Sequence, residues 1–342
     1  VFNGGDNIGK ENKISIGGNQ KSAGGMVLVV NGSLNVVGCT FDGAVNGMMN
    51  GVEYGGAVAV ISNTAKQALT FSLTNSVFKG NLAGYGGAVA VLIDGAASER
   101  TLALTMENCE FLDNQYISNG GALYTAINNS RSNPTFNITI NNSQFTNNKP
   151  QGNGGIGGAL NLGNLASGEA TLNIQNTGIT GSEANGSYGA AIYAEKTQVT
   201  LTNVHINDNR TTGDGAVYLK EGSLTVQNSE FKQNTASNGG AVYLTKPESC
   251  VFQTTTFDGN QSTSTSTFAS NGGGAVLITS IPKNAEIQFV DITAINNTAK
   301  RNGGAISMNA SGSNEIHAEI SGRIENNTAD ANGGGLYIGK IK

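Results

Sequence analysis

The chain has 342 residues, of which 49 are Gly and 45 are Asn. Two residue types that disfavour helices therefore make up more than a quarter of it, which excludes an ordinary helical or α/β globular domain. The net charge is -5 and the basic residues are scattered, so we expect neither nucleic acid nor an anionic membrane surface as a partner. No run of 18 apolar residues is present, and no helix is predicted to span a bilayer.

A short glycine motif recurs along the whole chain. Seven copies read Gly-Gly-Ala followed by Val, Leu or Ile, and they lie at 55–58, 86–89, 120–123, 157–160, 239–242, 273–276 and 303–306. Looser copies lie at 24–27, 189–192, 214–217 and 333–336. Successive copies are separated by 25 to 37 residues, which indicates a structural unit of fixed minimum length with loops of variable size.

A second motif lies upstream of the glycines, an aromatic residue followed three positions later by Asn. Clear copies are Phe78/Asn81, Phe111/Asn114, Phe145/Asn148, Phe231/Asn234 and Phe257/Asn260. Variants are Ile206/Asn209 and Ile324/Asn327, and degraded copies lie around Phe41, Ile179 and Ile292. Three positions before the aromatic residue comes another Asn, followed by a small residue. Cys39 and Cys109 occupy this small position, which indicates a structural role for them.

Between the motifs, apolar and polar residues alternate with the period of half-buried β-strands, as at Leu102, Leu104 and Met106. Downstream of the glycines the fourth and sixth motif positions are apolar, so the third and fifth are predicted to face outward. One such unit cannot bury its own apolar face, whereas stacked units can. Insertions at 149–156 and 261–271 are predicted to be polar loops outside the stack.

The sequence therefore predicts an all-β fold, a parallel β-helix solenoid with one rung for each of its eleven glycine motifs. Right-handed connections are the strong default for parallel strands, so a right-handed coil is expected. The whole chain, 1–342, is predicted to be a single β-helix domain, with rungs from about 24 to 338. Because the end of a β-helix exposes unpaired strand groups, we expect either a fragment of a longer array or end-to-end association between copies.

The alternating GGA[ILV] and FxxN tetrapeptides, which extend over residues 41–306, resemble the repeats of the chlamydial polymorphic membrane proteins. Members of that family are autotransporter adhesins. The resemblance implies a right-handed β-helical passenger that is secreted across an outer membrane and displayed at the extracellular cell surface. It also implies a role in host-cell adhesion and virulence, with a host surface protein or glycan as the partner.

Some parallel β-helices are carbohydrate-active enzymes, whose sites need carboxylates clustered on neighbouring rungs. Here Asp42 and Asp258 take the same slot in distant rungs, and His205 and His317 have no nucleophile or second His at useful spacing. The Asn-Asp-Asn at 207–209 begins no calcium-binding repeat. We therefore predict a non-enzymatic adhesin or structural rod with no catalytic residue, metal or cofactor. A carbohydrate-active enzyme and a self-assembling surface-layer or fibre subunit are the alternatives.

The fifth position of the glycine motif supplies a candidate binding surface. In three consecutive rungs with the shortest spacing, this position holds Tyr193, Tyr218 and Tyr243. Outward aromatic side chains in a ladder can stack on sugar rings or pack against a protein, although Tyr is also a favourable strand residue. We expect these three residues to form an exposed, flat ladder that contacts the partner.

Overall fold

The computed structural model describes residues 2–3, 13–16, 19–45, 53–63, 68–94, 101–128, 134–152, 154–163, 169–186, 188–266, 271–311 and 315–341. Regular structure in these residues is entirely β-strand, arranged as one 28-stranded sheet and two six-stranded sheets. Equivalent strands of successive repeats pair in parallel, which confirms the predicted parallel β-helix. In these ranges no helix has the length and apolarity needed to cross a membrane.

A rung contributes up to four strands, which we name by their place in the repeat. The glycine strands, which follow the Gly-Gly corner, are Val27–Val30, Val58–Ser62, Val89–Asp94, Leu123–Asn128, Leu160–Leu162, Val242–Thr245, Val276–Ile281, Ile306–Ser311 and Leu336–Ile341. The polar-face strands come next and are Leu34–Val37, Leu69–Thr74, Thr101–Glu107, Thr135–Asn141, Glu169–Gln175 and Ser249–Gln253. In the two shortest rungs these two elements are continuous, as Ile192–Thr202 and Val217–Gln227.

The aromatic strands follow and complete the large sheet. They are Phe2–Asn3, Thr40–Asp42, Val77–Lys79, Glu110–Leu112, Gln144–Thr146, Gly178–Thr180, His205–Asn207, Glu230–Lys232 and Thr256–Asp258. In the ninth and tenth rungs the polar-face and aromatic strands are joined as Glu286–Ile295 and Ala318–Glu325.

The corner strands precede the next Gly-Gly motif and form the two small sheets. The first small sheet contains Asn19–Ala23, Glu53–Tyr54, Leu82–Tyr85, Gln115–Asn119 and Lys149–Pro150, with Lys13–Ile16 paired antiparallel to Asn19–Ala23. The second contains Glu183–Ala184, Arg210–Thr211, Thr235–Ala236, Gln261–Ser262, Thr298–Ala299 and Thr328–Ala329.

Strand pairing places all eleven glycine motifs in one register. The residues that pair in order from rung to rung are Val27, Val58, Val89, Leu123, Leu160, Ile192, Val217, Val242, Val276, Ile306 and Leu336. Each is the fourth residue of its motif, so the predicted rungs are confirmed. The predicted loops at 149–156 and 261–271 each include strand residues at their start, because both segments begin with a paired corner strand.

The aromatic side chains form a column inside the solenoid. In order, its members are Phe41, Phe78, Phe111, Phe145, Ile179, Ile206, Phe231 and Phe257. None is more than 1% exposed. The first four rings stack with centroids 4.7–4.8 Å apart, which is the spacing of neighbouring strands. Ring stacking and strand pairing therefore require the same distance between rungs.

The ninth rung, which begins at Gly273, corrects one sequence assignment. The motif places Ile292 in the aromatic column, but this is wrong, because Ala294 pairs there with Phe257 and Ile324. Ile292 lies two residues earlier, in the slot that holds a small side chain in other rungs. A large residue in the small slot and a small residue in the aromatic slot keep the buried volume similar, which close packing favours.

The Asn of the aromatic motif forms a buried ladder of hydrogen bonds. The backbone N and the Nδ2 of Asn209 both donate to the Oδ1 of Asn234, each at 3.1 Å. The Nδ2 of Asn209 also donates to the backbone oxygen of Ile179 in the preceding rung, at 2.9 Å. The same three bonds recur at Asn81, Asn114, Asn234, Asn260 and Asn297. Buried amides need such partners, so the ladder fixes each rung to its neighbours.

One rung interrupts this ladder. Ser182 takes the Asn position there, and its buried hydroxyl oxygen has no hydrogen-bond partner. The corner strands divide at the same level, since one small sheet ends at Lys149–Pro150 and the other begins at Glu183–Ala184. The large sheet continues through this rung. On the corner side this rung keeps bonds made by its backbone, since Ser182 N donates to the Oδ1 of Asn209 and Glu183 N donates to the backbone oxygen of Asn148, each at 3.0 Å. The side-chain part of the ladder is what is missing here.

The outer Asn of each repeat serves a turn rather than the core. Its φ is 49–53° at Asn75, Asn108, Asn142, Asn176, Asn203 and Asn228, a left-handed conformation that Asn tolerates better than most residues. The small residue that follows joins two rungs, since the backbone N of Cys109 donates to the Oγ of Ser143 at 3.1 Å. Cys39 and Cys109 share this slot, as predicted.

The two glycines of each corner are needed for different reasons. The first, such as Gly55, has a φ of 66°, in the left-handed region that favours glycine. The second lies against the backbone of the next rung, because a Cβ on Gly56 would be 2.0 Å from the carbonyl oxygen of Gly87. A larger residue at Gly56 would therefore hold these two rungs apart, although the looser corner at 189–192 has Ala190 in this place.

Replacement of Phe111 by Ala should remove a ring that stacks on both Phe78 and Phe145. We expect a loss of about 3–5 kcal/mol in unfolding free energy, as for other large truncations in a packed core. Because rungs contact mainly their neighbours, hydrogen exchange measured by mass spectrometry should rise in the rungs around Phe111. A uniform rise along the chain would contradict this expectation.

Replacement of Ser182 by Asn should complete the buried ladder and stabilise the protein by about 1 kcal/mol, the net value of a typical hydrogen bond. The matched control is Asn234→Ser, which should lower stability because it breaks a ladder bond on each side. Urea unfolding midpoints measure both changes. A Ser182→Asn variant that is less stable than the wild type would show that the ladder cannot be continued through this rung.

Candidate functional site

The three candidate tyrosines lie side by side on the glycine strands of consecutive rungs. Tyr193 pairs with Tyr218, and Tyr218 pairs with Tyr243. Their ring centroids are 5.4 and 5.2 Å apart, with interplanar angles of 10° and 5°. The predicted aromatic ladder is therefore present.

The ladder is largely buried, and the expectation of an exposed face there is wrong. Tyr193 and Tyr218 are each 7% exposed, and Tyr243 is half-buried. Stacked rings cover one another, and Tyr188 also packs against Tyr218 at a centroid distance of 4.5 Å. The outward side of the glycine strands is thus a second packed layer, in which Ala59 at the same motif position is fully buried as well. The binding role of the tyrosines stays a prediction.

The hydroxyl ends of the ladder have polar partners. The Tyr193 hydroxyl is hydrogen-bonded to the carboxylate of Glu195, which lies 3.7 Å from the Nζ of Lys220. The Oγ1 of Thr279 donates to the Tyr243 hydroxyl oxygen at 3.2 Å. These contacts fix the orientation of the rings as well as their position.

Burial controls the ionisation of this site. It raises the pKa of Tyr193 and of Tyr218 well above the ordinary tyrosine value, and the carboxylate of Glu195 adds to the shift at Tyr193. Burial also raises the pKa of Asp214, although a hydrogen bond of 2.9 Å from the Nδ2 of Asn238 acts against it. The tyrosines are therefore neutral hydrogen-bonding groups rather than potential nucleophiles.

Sequence reasoning missed the residues that cover the glycine strands. Tyr54 and Tyr85 lie in corner strands, and their rings are 6.2 and 5.0 Å from that of Tyr124, which holds the fifth motif position. Tyr188 has the same relation to Tyr218. The signal was present in the sequence, because a Tyr stands directly before the first corner glycine at 54, 85 and 188.

A second candidate surface is the outward side of the polar-face strands. Over seven rungs, from Leu69–Thr74 to Ser249–Gln253, these side chains are aligned in three columns. We name this surface the polar face. Its first column is Thr70, Ala103, Asn137, Thr171, Gln198, Ser223 and Ser249, and its second, central column is Ser72, Thr105, Thr139, Asn173, Thr200, Thr225 and Val251. Its third column is Thr74, Glu107, Asn141, Gln175, Thr202, Gln227 and Gln253. None of these residues is buried. Apart from Ala103, Glu107 and Val251, all are Ser, Thr, Asn or Gln.

A groove of about 430 Å³ adjoins the polar face. It is lined by Asn137, Thr171 and Gln198 of the polar face and by Lys196, Glu221 and Glu248 near the turns that precede it. These residues belong to five successive rungs, so the groove extends roughly 19 Å along the rod at the usual strand spacing. Sequence reasoning did not predict it, because it depends on how turns of neighbouring rungs come together.

The His, Cys, Asp and Glu residues form no metal-binding cluster in the part of the chain that the structure describes. No three His, Cys, Asp or Glu side chains lie close enough there to hold a metal ion. His205 and His317 are exposed, and each lies 3.7–4.0 Å from one glutamate. Asp42 and Asp258 occupy the same column in distant rungs, as the sequence indicated.

Residues 57–262 match the family model described as the right-handed beta helix region. The match covers more than half of the chain and includes most of the polar face and the tyrosine ladder, so the chain belongs to this family of right-handed β-helices. The predicted handedness is thereby confirmed. No curated protein and no solved structure matches the chain.

Raised tyrosine pKa values predict alkaline instability. The unfolded chain loses a tyrosine proton near pH 10, whereas folded Tyr193 and Tyr218 keep theirs, so stability from these groups is complete below about pH 10 and is lost as the pH rises further. While circular dichroism shows a folded protein, a Tyr193→Phe/Tyr218→Phe variant should show the same phenolate absorbance as the wild type above pH 10. A smaller absorbance in the variant would show that these hydroxyls ionise in the folded state.

Proposed function

We propose that this right-handed β-helix is a non-enzymatic rod, displayed on a cell surface, which attaches the cell to a host protein or glycan. The inward side chains fill the solenoid, as at Leu104 and Ile138, which are fully buried. A partner must therefore bind to the outside. The observation that carries the proposal is the polar face, a wide surface open to solvent on a rigid scaffold and almost free of charge.

The repeat motifs support the proposed location. The GGA[ILV] and FxxN pairs resemble those of chlamydial autotransporter passengers, which reach the outside of the cell by secretion across an outer membrane. A rod of registered rungs can hold a contact surface away from the membrane without a flexible linker. On this proposal, loops of variable length change the surface without disturbing the buried columns.

Attachment can be tested with beads that carry the full chain. On epithelial monolayers, we expect saturable binding of these beads that the soluble chain inhibits, and no binding of beads coated with heat-unfolded chain. Antibody labelling of intact producing cells tests display. Absence of saturable binding would contradict the attachment role, and labelling only after cell lysis would contradict the location.

One observation favours the enzymatic alternative. Glu221 and Glu248 lie on adjacent rungs and line the same groove, as a pair of catalytic carboxylates would. Neither is buried, and Glu221 lies 4.0 Å from the Nζ of Lys246, which is typical of solvated surface charges. Release of reducing ends from a panel of polysaccharides, abolished by Glu221→Gln or Glu248→Gln, would support an enzyme; no release is expected.

A further inference from the structure

We propose that the polar face and its adjoining groove bind an uncharged glycan that lies along the axis of the rod. This inference rests on the proposed attachment role and names the chemical class of ligand that the surface fits. Three properties of the surface support it: its low charge, its hydrogen-bonding capacity and its repetition.

Charge is depleted on the polar face. Charged residues make up 13% of the chain, yet Glu107, in an outer column, is the one charged side chain among the aligned positions of the polar face. The anionic groups of a sulfated or acidic glycan would lose hydration there without contacting a cationic side chain, which is unfavourable. The polar face therefore selects against charged ligands.

Its composition also differs from that of a protein-binding surface. Protein interfaces are enriched in aromatic residues and Arg and depleted in Ser, whereas the polar face contains Thr in all three columns, Ser in two of them and no aromatic residue. Hydroxyl and amide side chains can both donate and accept hydrogen bonds, as sugar hydroxyls do. Contacts within the face leave capacity, since Thr171 donates to the Oδ1 of Asn137 at 3.1 Å and can still accept from a ligand.

Repetition favours a polymer over a single sugar. Equivalent side chains recur at each rung, about 4.8 Å apart along the axis and roughly 7 Å apart along a strand. A chain of sugar units on this surface can form many similar weak contacts at once, and linked contacts strengthen one another. The groove adds a concave edge, which is lined by the cationic Lys196 as well as by Glu221 and Glu248. Its charges are thus of both signs and attract no particular ionic ligand.

Affinity electrophoresis of the full chain tests the proposal. Each native gel contains one polysaccharide. The uncharged set is glucans, mannans and galactans, and the acidic one is polygalacturonate. We expect retardation by at least one uncharged polysaccharide and none by the acidic one. Gln198→Glu places a carboxylate on the exposed polar face beside the groove and should weaken binding by about tenfold.

The matched control is Gln144→Glu, the same change at an exposed position of an aromatic strand, and it should leave binding unchanged. Retardation by polygalacturonate alone, or by no polysaccharide, would overturn the proposal, as would equal effects of the two variants. Sedimentation that shows self-association of the wild type, lost in Gln198→Glu, would assign the polar face to contacts between copies instead.

The same variants separate this inference from the attachment role. If beads attach to cells but soluble uncharged glycan does not compete, and Gln198→Glu beads attach like the wild type, attachment stands and the ligand class is wrong. If glycan binds in gels but beads do not attach, the ligand class stands and the cellular role is wrong.

Discussion

The buried amide ladder is the interaction on which the rest of this solenoid depends. Each Asn accepts from the rung before it and donates to the rungs on both sides, so a rung can neither slide nor rotate without leaving several buried polar groups unpaired. Phe stacking at 4.7–4.8 Å uses the same spacing. The segments between strands can differ in length because they join the rungs at turns, outside the register of the ladder and the stacked rings.

The rod has unlike sides. Corner strands end at Gly-Gly turns that approach the next rung closely, and this brings tyrosines such as Tyr54 and Tyr188 over the glycine strands. That side is sealed by a second packed layer. The polar-face strands have no such cover in the described rungs and leave their outward side chains in solvent, which is why the polar face carries the functional argument.

Much of the architecture could be predicted from the sequence, because the motifs that define each rung make the contacts between rungs. Phe78, Phe111 and Phe145 lie where their spacing placed them, and all eleven glycine motifs are in register. Ile292 was misassigned because Ala294, which lies two residues later in the same strand and belongs to the aromatic column, is too small to be recognised as a member of it.

The candidate site was less predictable. Alternation along a strand shows which side chains point away from the core, and it identified Tyr193 and Tyr218 correctly as neighbours. It cannot show that a separate segment covers them, since Tyr188 lies outside the glycine strands, directly before a corner glycine. The groove was missed for a similar reason, because Asn137, Thr171 and Gln198 become neighbours only when rungs separated by about 30 residues are stacked.

The direction of the amide ladder gives the rod an electrical polarity. Every Oδ1 points toward the N-terminal neighbour, since it accepts from that rung in each case, so the side-chain amide dipoles have one sense and add along the axis. The β-sheets themselves contribute little net dipole. The column of aligned side-chain amides is therefore the main ordered array of dipoles, and it adds up along the axis as peptide dipoles do in an α-helix. Ser182 divides it into two dipoles in series, from Asn81 to Asn148 and from Asn209 to Asn327, each with its negative end toward the N-terminus.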